Sequence, residues 1–286
     1  YDDTIRKWNE NGECVATLHG HTDAVRCLIV WNNCLYSGSW DRTIRKWNEN
    51  GECEAVLASH TETVQSLTVW NNRLYSGSND KTIRKWNENN ECVATFRGHT
   101  EAVRCLIVWN NHLYSGSYDG AIYKWNENGK CVAILQGYTN IVTCLTVWNN
   151  YLYSGSGDET IRKWNENGEC VATLHSHTDM VMCLIVWNNH LYSGSGDMTI
   201  RKWNENGECV ATLRGHTDVI MCLTVWNNHL YSGGGDCTIR KWGEFQYRDY
   251  HGLTNAKKKE VLIWELVGRR LCLKKDIRLL VMRCLI

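Results

Sequence analysis

A period of 39 residues constrains this chain more than any other feature. Tryptophans recur at Trp8, Trp47, Trp86, Trp125, Trp164, Trp203 and Trp242, each 39 residues after the last. The series Trp31, Trp70, Trp109, Trp148, Trp187 and Trp226 keeps that interval, as does the position held by His21, His60, His99, Tyr138, His177 and His216. A fixed period of about 40 residues marks a repeat architecture, in which each unit buries its apolar faces against its neighbours. Units start at residues 21, 60, 99, 138, 177 and 216, and residues 1–20 match the second half of a unit. The repeat region is read as 1–252, followed by a distinct tail at 253–286. Copying also explains a composition of 15 Trp, 2 Phe and no Pro.

The unit at 21–59 reads as four short strands. Val25 to Trp31 is β-branched and aromatic, and Asn32-Asn33 supplies the positive φ angles of a tight hairpin into Leu35-Tyr36. A turn around Asp41 leads to a third strand at Thr43–Trp47, and Asn48-Glu49-Asn50-Gly51 turns into a fourth at Cys53–Leu57. No stretch of the unit carries a helical apolar stripe of competing length. One such sheet cannot cover both its faces, so the sheets must stack, and stacked four-stranded antiparallel sheets form a propeller.

Gly-His opening a unit, LYSGSxDxTIRKW in its middle and Trp near the end of the third strand resemble the WD-repeat (β-transducin-like) propeller family. The resemblance spans about 250 residues. It implies an all-β propeller and a hydrogen-bonded structural set in each blade, which in the first full unit is His21, Ser37, Asp41 and Trp47. The family's Trp-Asp is Trp-Asn in six of the seven cases and Trp242-Gly243 in the last. Tyr138 replaces His in one unit, where the blade is expected to be locally weaker, and Ser59 and Ser176 replace the Gly before His. Strand counting gives 25, between the 24 of six blades and the 28 of seven. Either residues 12–18 complete the last blade by strand exchange, or the chain is a piece of a seven-bladed parent. The second is preferred, because the resembled family favours seven blades and because Tyr1 falls in mid-unit.

No phosphate-binding glycine loop, GxSxG, HExxH or zinc-type Cys/His spacing occurs, so neither catalysis, metal nor cofactor is expected. A His–Asp pair repeated in nearly every unit is scaffolding, since a catalytic dyad is not needed six times. His112, His190 and His229 share a hairpin position where Cys34, Arg73 and Tyr151 substitute, which argues against a metal role. The cysteines of the first strand (Cys27, Cys105, Cys144, Cys183, Cys222) and of the fourth (Cys14, Cys53, Cys92, Cys131, Cys170, Cys209) both read as small, reduced core residues.

The units differ from one another in few places. Around the start of the first strand these are Ala24 and Arg26, Thr63 and Gln65, Ala102 and Arg104, Ile141 and Thr143, Met180 and Met182, Val219 and Met221. Before the turn Asp they are Trp40, Asn79, Tyr118, Gly157, Gly196 and Gly235. The resemblance places these positions around the central opening on the top face. The expected partner-binding rim is therefore Arg26, Trp40, Gln65, Asn79, Arg104, Tyr118, Met180, Met182 and Met221. One side is aromatic and basic and the other Met-rich, which suits a peptide with an acidic or phosphorylated end and an apolar end. The reading is a non-catalytic protein-interaction scaffold.

With 31 basic and 31 acidic side chains, bulk charge gives no attraction to nucleic acid, so RNA is disfavoured as a partner. A lysine nevertheless precedes each strand-three tryptophan: Lys7, Lys46, Lys85, Lys124, Lys163, Lys202 and Lys241. Either their stems lie between blades with the ammonium groups at water or at Glu49-type carboxylates, or they form a cationic ring for an anion or RNA. From residue 243 onward there are 10 basic and 5 acidic side chains. Leu273, Ile277, Leu280, Cys284 and Leu285 make a helical stripe that packs on the domain or a second helix, or attaches to anionic lipid. Residues 273–280 also resemble the opening helix of an F-box, although Lys274 stands where Pro is usual; this would make the chain a substrate receptor in a ubiquitin ligase. No signal peptide or membrane span is visible, and the expected location is cytoplasmic, with the nucleus open.

Overall fold

The computed structural model describes residues 3–9 and 11–243. It is built of 25 antiparallel strands, β1–β25. The pair β1 (Ile5–Trp8) and β2 (Cys14–Leu18) comes first, and β3 (Val25–Trp31), β4 (Cys34–Ser39), β5 (Ile44–Trp47) and β6 (Cys53–Leu57) form the first four-stranded sheet. Four more such sheets follow as β7–β10 (64–97), β11–β14 (103–135), β15–β18 (142–175) and β19–β22 (181–214). A three-stranded sheet of β23 (Ile220–Trp226), β24 (His229–Gly234) and β25 (Ile239–Trp242) completes the set. Counted from β3, these are the six blades of a β-propeller, with the β1–β2 pair seated ahead of the first. No helix among the described residues is long and apolar enough to cross a membrane. The tail expected to be helical lies outside the described residues.

Local chemistry sets the strand pairing. Both asparagines of every first hairpin have positive φ, from Asn32 (48°) and Asn33 (58°) to Asn227 (45°) and Asn228 (57°), the geometry of a type I′ turn. The hairpin fixes register: Leu35 faces Val30 and Tyr36 faces Ile29 in the first blade, and the pattern recurs in each. With a period of two, this sends alternate residues to opposite sheet faces. Ile44, Leu57, Val64, Leu67 and Leu74 consequently meet in one buried cluster between the first and second blades. Ile5 and Leu18 meet Val25, Leu35 and Trp47 in the equivalent way, so the β1–β2 pair docks on the first blade as one blade docks on the next.

This docking excludes the first of the two alternatives for the spare strands. Residues 12–18 do not complete the last blade, because β2 pairs with β1, from Ile5↔Leu18 to Trp8↔Cys14. The last blade keeps three strands among the described residues. Ile44, Ile83, Ile122, Ile161 and Ile200 are at most 1% exposed beneath the following blade, whereas Ile239 is 43% exposed.

The fourth-strand cysteines also depart from expectation. Cys14, Cys53 and Cys170 are exposed and Cys92, Cys131 and Cys209 only half-buried, because this strand is the outer edge of its sheet. Of the first-strand set, Cys27, Cys105 and Cys222 are buried.

Candidate functional site

A constant framework holds the site. In the first blade the Trp47 indole N–H donates to Ser37 Oγ (2.8 Å), which lies 2.6 Å from His21 Nε2, and His21 Nδ1 lies 2.6 Å from Asp41 Oδ2. One consistent proton order follows: Trp to Ser, Ser to His Nε2, and His Nδ1–H to Asp. Burial would raise the Asp41 carboxyl, but hydrogen bonds from His21 and Thr43 outweigh it and hold the group well below its ordinary range. The Asp80, Asp197 and Asp236 carboxyls are held low by equivalent bonds, against the same opposing burial. Burial pushes the His60 and His216 imidazoles down, favouring the neutral ring that this proton order needs.

Tyr138 is accommodated rather than merely tolerated. Its hydroxyl donates to the Ser154 carbonyl (2.6 Å) and lies 2.5 Å from Ser154 Oγ, which still accepts the Trp164 indole N–H at 2.7 Å. Arg162 lies over the Tyr138 ring, 3.9 Å from its centroid, and pairs with Asp158 at 3.3 Å. Ser59 and Ser176 are put to use as well, bonding Arg84 and Arg201.

The lysines lie on the sheet faces. Lys7 faces Ala16 of β2, and each of the other six pairs in register with a second-strand tyrosine, as Lys46 does with Tyr36; Lys85, Lys124, Lys202 and Lys241 sit 5.7–5.9 Å from the ring centroids of Tyr75, Tyr114, Tyr192 and Tyr231. Lys46 pairs with Glu54 at 2.9 Å rather than with Glu49, because the fourth strand runs beside the third. Burial pushes the Tyr114 hydroxyl up to about 12. His112, His190 and His229 turn Nδ1 back onto the carbonyls of Asn110, Asn188 and Asn227 at 2.7–2.8 Å.

The mouth is where the blades differ. First strands of neighbouring blades lie side by side, β3 on β7 (Val64–Trp70), then β11 (Val103–Trp109), β15 (Val142–Trp148), β19 (Val181–Trp187) and β23. Their second residues therefore follow one another around the channel: Arg26, Gln65, Arg104, Thr143, Met182 and Met221. Arg26 Nε lies 3.4 Å and Arg104 Nη1 2.5 Å from the same atom, Gln65 Oε1. Gln65 Nε2 in turn donates to Asn79 Oδ1 (3.0 Å), and the Arg26 guanidinium lies 5.6 Å from the Trp40 ring centroid. Five of the rim residues expected from sequence are thus joined in one chain of contacts.

Arg104 also borders a cavity of about 340 Å³. Tyr118 stands beside it, Ile141 and Thr143 come from the fourth blade, and Met180, Met182 and Val219 make the lining mainly apolar. Met221 is not part of this lining. Asp179 is, and sequence reasoning missed it because Asp or Glu follows His-Thr in most units and reads as framework. The signal lay in Gly196: a Cβ there would lie 2.7 Å from Asp179 Oδ2, so glycine leaves room for the carboxylate where other blades carry Trp40, Asn79 or Tyr118.

Comparison with known proteins agrees with this geometry. Six segments, 12–48, 51–87, 90–126, 129–165, 168–204 and 207–243, match the family described as WD domain, G-beta repeat. An uncharacterized WD repeat-containing protein of Schizosaccharomyces pombe is 54% identical over 44 residues, which is 14% of this chain and 12% of that protein. The crystal structure of the computationally designed Ika8 protein is similar with a TM-score of 0.71 and 29% identity, over 84% of this chain and 78% of that one.

Proposed function

From the premise that this chain belongs to the WD domain, G-beta repeat family, whose propellers are generally non-catalytic interaction scaffolds, we propose that it holds a peptide segment of a partner protein at the channel mouth. The observation that carries this reading is the coincidence of variability with concavity. Arg104, Tyr118, Met180 and Met182, four positions at which otherwise near-identical units differ, border one cavity of about 340 Å³. Drift at exposed sites would scatter such differences instead of gathering them. The lining suits an apolar anchor side chain, with an acidic or phosphorylated group beside it on the arginine side. Asp179, which comes from a different blade than Arg104, disfavours the reverse orientation.

The mechanism is rigid display, in which the sheets fix the mouth and binding costs little reorganisation. The lysine series supports an RNA reading less well, since most of its ammonium groups already lie over tyrosine rings. The ubiquitin-ligase reading rests on residues 273–280, which lie outside the described residues.

Peptides selected from a random display library on the purified chain test the proposal. Tyr118→Ala with Met182→Lys is expected to weaken a selected peptide at least tenfold while leaving the melting temperature nearly unchanged. Selected peptides that bind this variant as well as the parent would refute it.

A further inference from the structure

Gln65 occupies an unusual position on the channel wall. Two guanidinium groups from the blades on either side converge on its single side-chain oxygen, Arg26 Nε at 3.4 Å and Arg104 Nη1 at 2.5 Å. Guanidinium remains charged at any working pH, so two cations are gathered around a neutral dipole. Arg26 is only 8% exposed, and its guanidinium lies 5.6 Å from the Trp40 ring centroid. Gln65 is fixed from its other end, where Nε2 donates to Asn79 Oδ1 at 3.0 Å and leaves Oε1 presented to the arginines. The equivalent positions across the ring are Thr143, Met182 and Met221, so among the described residues this arrangement is made once.

We propose that Arg26, Gln65 and Arg104 form an oxyanion clamp in which the Gln65 amide oxygen holds the place of a ligand oxygen. The ligand is a carboxylate or phosphate monoester carried on a peptide. When it arrives, one of its oxygens replaces Oε1 between the two guanidiniums, exchanging a neutral acceptor for an anionic one that adds ion pairing with both arginines. Because Arg104 also borders the apolar cavity, the acidic residue and the anchor side chain must be near neighbours in the ligand. The inference rests on the reading of the mouth as a peptide site, and goes beyond it by naming the atoms that meet the charge.

The decisive variant is Gln65→Glu, which supplies the clamp with a carboxylate of its own. Three probes are used: inorganic phosphate alone, and two otherwise identical peptides with glutamate or phosphoserine beside a leucine. Thermal unfolding in phosphate against chloride at matched ionic strength, and calorimetric titration of the peptides, give the readouts. Gln65→Glu is expected to raise the melting temperature in chloride and to abolish both the phosphate-induced rise and peptide binding. Gln65→Ala is expected to tighten all three probes several-fold, because the resident oxygen is gone. Arg104→Met is expected to weaken them at least tenfold. Equal binding of the two peptides assigns the site to a single oxyanion oxygen, and tighter binding of phosphoserine assigns it to the dianion.

The inference is overturned if Gln65→Glu binds the probes as the parent does, or if neither parent nor Gln65→Ala responds to any probe. Inorganic phosphate needs no anchor side chain, so a phosphate response with no selected peptide sinks only the peptide reading. Selected peptides that bind Gln65→Glu unchanged sink only the clamp.

Discussion

The tetrad beneath each blade and the mouth above it answer to opposite pressures within one 39-residue unit. In the tetrad, Trp47, Trp86, Trp125, Trp164 and Trp203 are each at most 2% exposed and donate to a serine at 2.7–2.8 Å. At the mouth, the same structural position carries Arg26 in one blade and Met182 in another, and neither disturbs the strand that bears it. A buried polar network has one solution, since each donor needs its acceptor, whereas the mouth position is satisfied differently from blade to blade, Arg26 by Gln65, Thr143 by the Gly155 carbonyl and Met182 by an apolar cavity wall. The contrast teaches that duplication can fix a scaffold and leave its opening free to diversify.

That contrast can be broken most directly by cutting into the tetrad. Trp164→Ala removes a side chain that is 1% exposed and leaves Ser154 short of a donor. A loss of about 3–5 kcal/mol is expected from denaturant unfolding, centred on the blades that share its core cluster. A loss below about 1 kcal/mol would mean that the framework is no more demanding than the mouth.

Acid sharpens the same comparison. His60 and His216 sit below their ordinary 6.5 in the folded chain, so the unfolded chain takes up protons first as pH falls through that value, and stability declines. The tetrad carboxylates, depressed from an ordinary 3.8, add stability that is present above that pH and lost below it. Melting temperature is therefore expected to fall from about pH 6.5 and more steeply below about pH 4. A flat profile between pH 7 and 4 would contradict the neutral-imidazole proton order. The smallest effect belongs to the mouth: Tyr118→Ala, at a residue 42% exposed, is expected to change stability by no more than about 0.5 kcal/mol in the same denaturant assay.

Much of this was legible in the residues because the signals are local. Asn-Asn specifies a hairpin whatever surrounds it, alternation sorts side chains to two faces, and the recurrence of Trp, Ser, His and Asp at fixed offsets names the tetrad. How the fourth blade houses Tyr138 was not legible, since the Arg162 ring contact and the bonds to Ser154 join a loop residue to two different strands. Cys53 illustrates the opposite error, because an apolar pattern does not tell an edge strand from an inner one.

The sequence by itself determined the repeat, the strands, their register and the residues that vary, because each follows from backbone preference or a period within one unit. Only the tertiary structure decided that β2 pairs with β1, that Asp179 fills the room left by Gly196, and that Arg26 and Arg104 share one oxygen of Gln65. Those facts join atoms from separate strands or blades. Distances between such atoms are set by how the sheets pack, which no single unit encodes.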